Sequence, residues 1–175
     1  MKYELSPKIK YKLNQKRLVL EKADINDLEE ILNLYKTRAS WFKLNNINQR
    51  QKYLQHHPQE EFIDAIKKRN YFVLKENENI VAAFELSENS KYWHENANAY
   101  YIYKLVVKVG YKNLGSLILD ICKEITKNNK KSLLRLDCLK NNKKLNEIYE
   151  KNDFKLVYCG TLDYYVYCLR ENIIN

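Results

Sequence analysis

Leu105-Val-Val-Lys-Val-Gly-Tyr-Lys-Asn-Leu-Gly-Ser-Leu-Ile118 is the stretch that decides the fold. An apolar strand ends at Val107 and gives way to a short loop. Gly115 and Ser116 then open a helix that continues through Leu117, Ile118, Leu119 and Ile121. A helix starting there turns its first backbone N–H groups and its positive dipole end outward, a ready site for phosphate. Beyond the helix, Leu133 to Cys138 reads as a second apolar strand. A strand–helix–strand unit between residues 100 and 138 requires a parallel pair.

Working outward, Arg17 to Glu21 reads as a first strand, and Asp24 or Asn26 can cap a helix from about Asp27 to Arg38. Its apolar positions Leu28, Ile31, Leu32 and Tyr35 recur at helical spacing. Residues 39–57 read as a loop with a short helical turn, and Pro58 opens a helix to about Arg69. Tyr71 to Lys75 and Ile80 to Leu86 pair through the polar turn Glu76 to Asn79. After an irregular segment at 87–98 comes the strand Tyr100 to Val107. The helix Asn142 to Asn152 and the strands Phe154 to Tyr158 and Tyr164 to Leu169 close the order. This order gives an α/β, more closely α+β, chain of about seven strands.

The chain has 175 residues, a single-domain length, and carries 31 Lys and Arg against 22 Asp and Glu for a net charge of +9. Residues 1–16 read as a basic extension without the apolar block of a signal peptide, 17–170 as the domain and 171–175 as a tail. No apolar stretch is long enough for a membrane span. Cys122, Cys138, Cys159 and Cys168 are widely spaced without a C-x-x-C, and are expected as buried thiols in a reducing cytoplasm. His56, His57 and His94 show no ligand spacing, so no metal is expected. The basic run Lys127 to Lys131 complements the end of its helix without needing a partner.

The passage from Leu105 to Ser116 resembles the acyl-CoA-binding core of the GNAT family of N-acetyltransferases. In that family a V-x-x-x-x-[QR]-x-x-G-x-[GA] signature wraps the pyrophosphate of acetyl-CoA. Here its last three fixed positions are Gly110, Asn113 and Gly115, of which Gly115 fits. Asn enters left-handed backbone more readily than most residues, so Asn113 is an understandable substitute. Gly110 removes a side chain that braces the loop, and Lys112 could restore charge. Leu-Arg-Leu-Asp-Cys138 with Asn142, Tyr149 and Phe154 after it is similar to the family's second signature, with Asp153 where a Gly is usual.

The resemblance implies a mixed sheet with helices on both faces, and acetyl-CoA as co-substrate with no metal. Leu105, Val106 and Val107 would pair with the pantetheine amides, and Gly110, Tyr111, Lys112, Asn113, Leu114, Gly115 and Ser116 would hold the phosphates. Asn142 would contact the cofactor, and Tyr149 would lie near its sulfur and protonate the departing thiolate. Glu85 is the candidate base for the acceptor amine, with Glu88, Glu95 and Asp163 as rivals. Trp41, Phe42, Tyr92 and Trp93 lie in segments that flank the acceptor cleft. The implied activity is transfer of an acetyl group to a primary amine of a small molecule or peptide, by direct attack in a ternary complex. A homodimer is compatible with it, a membrane is not required, and the compartment would be cytoplasmic. Two alternatives stand beside it. Charge +9 with interleaved tyrosines, as in Lys155-Leu-Val-Tyr158, would suit a nucleic-acid-associated protein, including one acting on charged tRNA, though no RNA- or DNA-binding pattern is legible. A GNAT-like protein that binds acyl-CoA without catalysis would suit the departures at Gly110 and Asn113.

Overall fold

A computed structural model of the 175-residue chain describes residues 9–13, 15–47, 53–162 and 165–175. Among these, eight strands form one mixed sheet: β1 (Ile9–Leu13), β2 (Lys16–Lys22), β3 (Tyr71–Glu76), β4 (Asn79–Ser87), β5 (Ala99–Val107), β6 (Leu133–Leu139), β7 (Lys155–Leu162) and β8 (Tyr165–Ile173). Their spatial order is β1-β2-β3-β4-β5-β6-β8-β7. The helices are α1 (Leu28–Leu44), α2 (Tyr53–His56), α3 (Gln59–Lys67), α4 (Leu114–Asn128) and α5 (Lys143–Lys151). No helix among the described residues is long and apolar enough to cross a membrane.

The chain forms two compact units. The first takes residues 9–85 and Lys104–Leu114. Asp24 opens it, accepting from the Asn26 N–H at 3.0 Å while its own N–H donates to Asp27 at 2.8 Å, a reciprocal cap on the turn before α1. Asn77 (φ 48°) and Glu78 (φ 68°) both lie in left-handed backbone, so a two-residue turn closes the β3–β4 hairpin where the polar tetrapeptide predicts one. Ile31, Leu34, Tyr35, Phe62, Ala65, Ile66, Tyr71, Val73, Ile80, Ala83 and Val106 form its core. Phe62 is fully buried and meets Tyr35 and Tyr71 edge-on, so Phe62→Ala would cost about 3–5 kcal/mol.

The second unit takes Leu86–Tyr103 and Gly115–Asn175. β5 and β6 run parallel from Ala99↔Leu133 to Ile102↔Leu136, as the crossover through α4 demands. α4 buries Ile118, Leu119, Ile121, Cys122 and Ile125 at helical spacing. Asn142 caps α5 by accepting from the Leu145 N–H at 3.0 Å, and Asp153 (φ 66°) ends it. That left-handed step lets the Phe154 N–H reach the Tyr149 carbonyl at 2.9 Å and sends the Phe154 side chain inward, 6.0 Å from the Tyr149 ring. Asp153 thus makes the backbone step that a Gly usually makes at this position.

Three sequence expectations change. Residues 39–44 continue α1 rather than forming a loop, because Arg38 stacks its guanidinium on Trp41 (5.4 Å) and Phe42 (5.8 Å) one turn on. β1 lies within the stretch read as a basic extension, and β8 runs on to Ile173, into the stretch read as a tail. Cys159 and Cys168 are not free thiols. They face each other across the β7–β8 ladder and are joined by a disulfide, with their Cα atoms 4.1 Å apart. Cys122 and Cys138 are buried and free, as expected. Two of the four cysteines expected as free thiols are thus paired.

Candidate active site

In the first unit, β5 carries its charged residue, Lys104, in left-handed backbone (φ 48°), a kink within an otherwise extended strand. The kink turns the Lys104 carbonyl toward two tyrosines. The Tyr35 hydroxyl donates to it closely, and the Tyr71 hydroxyl lies 3.3 Å from it and 2.9 Å from that of Tyr35. The Lys104 ammonium reaches Glu85 at 2.6 Å and Glu61 at 3.7 Å. Glu61 also meets His57 Nδ1 at 3.0 Å. The candidate base Glu85 is therefore an ion-pair partner, with both side chains only 11–12% exposed. Past the kink, Val106 is buried in the core while Leu105 and Val107 are half-buried.

The exit from β5 is fixed on both sides. Arg38 donates to the Val107 carbonyl from Nε at 3.1 Å and more closely from Nη2. The Lys108 N–H donates to the Val81 carbonyl at 2.8 Å. The loop then makes two left-handed steps, at Gly110 (φ 92°) and at Asn113 (φ 61°), immediately before α4 begins. Asn113 thus takes the left-handed conformation expected of it, and the backbone at Gly110 is one that favours glycine. Lys112 is exposed. Tyr111 does not point freely from the loop: its hydroxyl donates closely to Glu76, and Lys16 lies 4.1 Å above its ring.

A Cβ built on Gly115 or on Gly110 would meet nothing within 4 Å. Gly115 has no left-handed backbone and no crowding to explain it, so the protein interior does not require a glycine there. The open space there leaves room for the pyrophosphate of an acyl-CoA.

In the second unit, the Ser116 hydroxyl accepts from Asn152 Nδ2 at 3.2 Å, tying the first turn of α4 to the end of α5. Tyr149 is 6% exposed. Asn142 spends its side-chain oxygen on the helix cap, a structural duty that the spacing with Tyr149 does not reveal. The rival carboxylates are engaged: Glu88 with Lys131 at 3.0 Å, and Glu95 with Arg135. Asp163 lies outside the described residues. Tyr92 packs 5.6 Å from Tyr167, and Trp93 lies under the Arg135 guanidinium at 4.0 Å. These two belong to the second unit, and Trp41 and Phe42 to the first. Burial pushes the Tyr103 phenol well up, and its hydroxyl donates to Ser90 at 2.6 Å. Among the described residues no group of three or more His, Cys, Asp or Glu could hold a metal ion.

Sequence reasoning missed Arg38, Glu61, Glu76 and Lys104. Lys104 left a trace, as a charge inside an apolar strand, and Arg38 sits one helical turn before two aromatics. Glu76 meets Lys16 and Tyr111 only through the tertiary fold. Glu61, on α3, carries a local signal in its i,i+4 spacing from His57, while its approach to Lys104 is non-local.

The profile of the acetyltransferase (GNAT) family matches residues 28–154. No curated protein matches the sequence significantly. Among solved structures, a GNAT-family acetyltransferase from Listeria monocytogenes superposes with a TM-score of 0.78 at 16% identity, over 94% of this chain and 99% of that one. The PaiA N-acetyltransferase of Thermoplasma acidophilum, solved in complex with coenzyme A, gives 0.69 at 16% identity over 89% and 99%. The ribosomal-protein-S18-alanine N-acetyltransferase of Escherichia coli gives 0.65 at 13% identity over 90% and 94%. At these identities the likeness is one of fold.

Proposed function

Because the chain belongs to the GNAT acetyltransferase family, we propose that it transfers an acetyl group from acetyl-CoA to a primary amine, by direct attack within a ternary complex. The observation that carries this reading is the strand–loop–helix passage. Two left-handed steps bring it onto the N-terminus of α4, and open space stands over Gly110 and Gly115. The neighbour solved with coenzyme A supports the choice of ligand.

The phosphates rest on the backbone from Gly110 to Ser116, and the pantetheine pairs with Leu105 to Val107 in the manner of an added strand. Backbone N–H groups there polarise the thioester carbonyl. The amine nitrogen attacks the carbonyl carbon, so a C–N bond forms as the C–S bond breaks. The proton lost from the amine passes through water to Glu85, whose carboxylate Lys104 holds in place. The Tyr149 hydroxyl gives its proton to the departing thiolate and recovers one from solvent. The acceptor is a small-molecule or peptide amine.

The reading of acyl-CoA binding without catalysis draws on one observation, that Glu85 already has a close cationic partner. Turnover separates the two. Acetyl-CoA offered with a panel of amines, including polyamines, amino acids, peptide N-termini and lysine side chains, should release free thiol in equal amount to acetylated amine for at least one class. Binding without thiol release across the panel would leave the non-catalytic reading standing.

A further inference from the structure

Between its two left-handed steps the Lys108–Asn113 loop sends a side chain back to the sheet. The Tyr111 hydroxyl donates to Glu76 Oε2 at the end of β3, and Lys16 Nζ at the start of β2 meets the same oxygen at 3.1 Å while covering the Tyr111 ring at 4.1 Å. One phenol, one carboxylate and one ammonium thus join three separate stretches of chain. Their titrations agree. Hydrogen bonds from Tyr111 and then Lys16 hold the Glu76 carboxyl below its usual range. The Glu76 hydrogen bond raises the Tyr111 phenol and the Lys16 ammonium.

A loop with Gly110 at φ 92° loses more freedom on ordering than one with an ordinary residue there. Its entry is pinned at Val107 and Lys108 by Arg38 and Val81, and its exit by α4. Tyr111 fixes the middle. We propose that Tyr111, Glu76 and Lys16 form a brace that holds the Lys108–Asn113 loop in its anion-binding shape before the cofactor arrives. The inference rests on the acyl-CoA reading of this loop. It makes the Tyr111 side chain a positioning group, acting through the loop backbone, and not itself a ligand of the phosphates. Preorganisation of this kind lowers the ordering cost of binding.

The test is calorimetric titration of CoA into the full chain, its Tyr111→Phe, Glu76→Gln and Glu76→Ala variants and the Tyr111→Phe/Glu76→Ala pair, with hydrogen exchange of the 108–115 amides beside it. Tyr111→Phe keeps the ring under Lys16, so folding is retained. A charge-assisted hydrogen bond, discounted for solvent at this half-exposed site, corresponds to roughly three- to tenfold in affinity. The double variant should lose about as much as one single variant, because the parts act as a unit. Exchange should quicken in the loop and stay unchanged along α4, and the rate at saturating acetyl-CoA should fall by less than the affinity. Affinities within twofold of a parent that binds CoA would overturn the brace. So would a lost affinity with unchanged loop exchange, since the phenol would then be touching the ligand itself. A parent giving no heat with CoA would overturn the proposed function, and the brace with it.

Discussion

Replacing Gly115 by Val separates fold from function at the point where the two make different demands. The protein leaves at least 4 Å of open space where the new Cβ would stand, and Gly115 is not in left-handed backbone. Helix propensity favours Val over Gly by a few tenths of a kcal/mol, so the melting temperature should rise by about 1–2 °C at most. The ligand meets the opposite situation, because a branched side chain occupies the volume through which phosphate oxygens approach the backbone. Losing one charge-assisted hydrogen bond costs about 1.5–3 kcal/mol, or roughly 10- to 150-fold in affinity. Losing the whole cradle removes binding from the calorimetric window. The assay is CoA titration by calorimetry, paired with thermal melting of the same preparations. A folded variant that binds CoA as tightly as the parent would refute the placement of the phosphates over Gly115.

Other substitutions test other parts. Tyr149→Phe should lower turnover at saturating acetyl-CoA by ~10²–10⁴, the contribution of a positioned acid, and a loss under twofold would return Tyr149 to a packing role. Lys104→Met leaves Glu85 in a site 12% exposed without its cation, which should cost about 1–3 kcal/mol in urea unfolding and be partly restored by adding Glu85→Gln; additive losses would contradict the pairing. Reducing the Cys159–Cys168 bond should free two thiols to maleimide and lower stability by up to about 3 kcal/mol for a nine-residue separation; two extra thiols without reductant would show the bond absent. Burial raises the Cys138 thiol from 9.0 to about 11 and raises Cys122 as well. The folded state therefore holds protons that the unfolded chain gives up. Stability should fall as pH rises from about 9 toward 11, and the fall should be smaller in a Cys122→Ala/Cys138→Ala variant, the remainder coming from Tyr103, Tyr111 and Lys16, which the fold also holds protonated.

What the sequence made legible was local. The strand–loop–helix at 105–118 and the α5 turn at Asp153 come from residue types whose backbone preferences act within a few positions. The left-handed φ of Asn113 and of Asp153 could be anticipated because both side chains tolerate that region. What stayed hidden was non-local. The bond between Cys159 and Cys168 depends on β7–β8 register, which places the two opposite each other only once Leu162 is paired with Tyr165. β1 announces itself by the alternation Ile9-Lys-Tyr-Lys-Leu13, matched by its alternating burial, but a basic reading of the N-terminus obscured it. Lys104 with Glu85 comes together only once β4 and β5 are in place, and Glu61 from α3 and Tyr111 from the loop before α4 join their partners only through the tertiary fold, which no spacing rule reports in advance. Asn142 shows the converse. Its helical phase with Tyr149 pointed to a shared ligand, while the shorter-range rule, that Asn before a helix caps it, describes where its oxygen goes.

The most direct measurement is an amide-resolved NMR titration of the isotope-labelled chain with CoA, with NAD as the comparison. The amides of residues 105–116 should shift together and saturate with CoA, and those of 142–149 should shift with them; all should remain still with NAD. Shifts confined to other strands, or a response to NAD with none to CoA, would contradict the assignment of this strand, loop and helix as an acyl-CoA site.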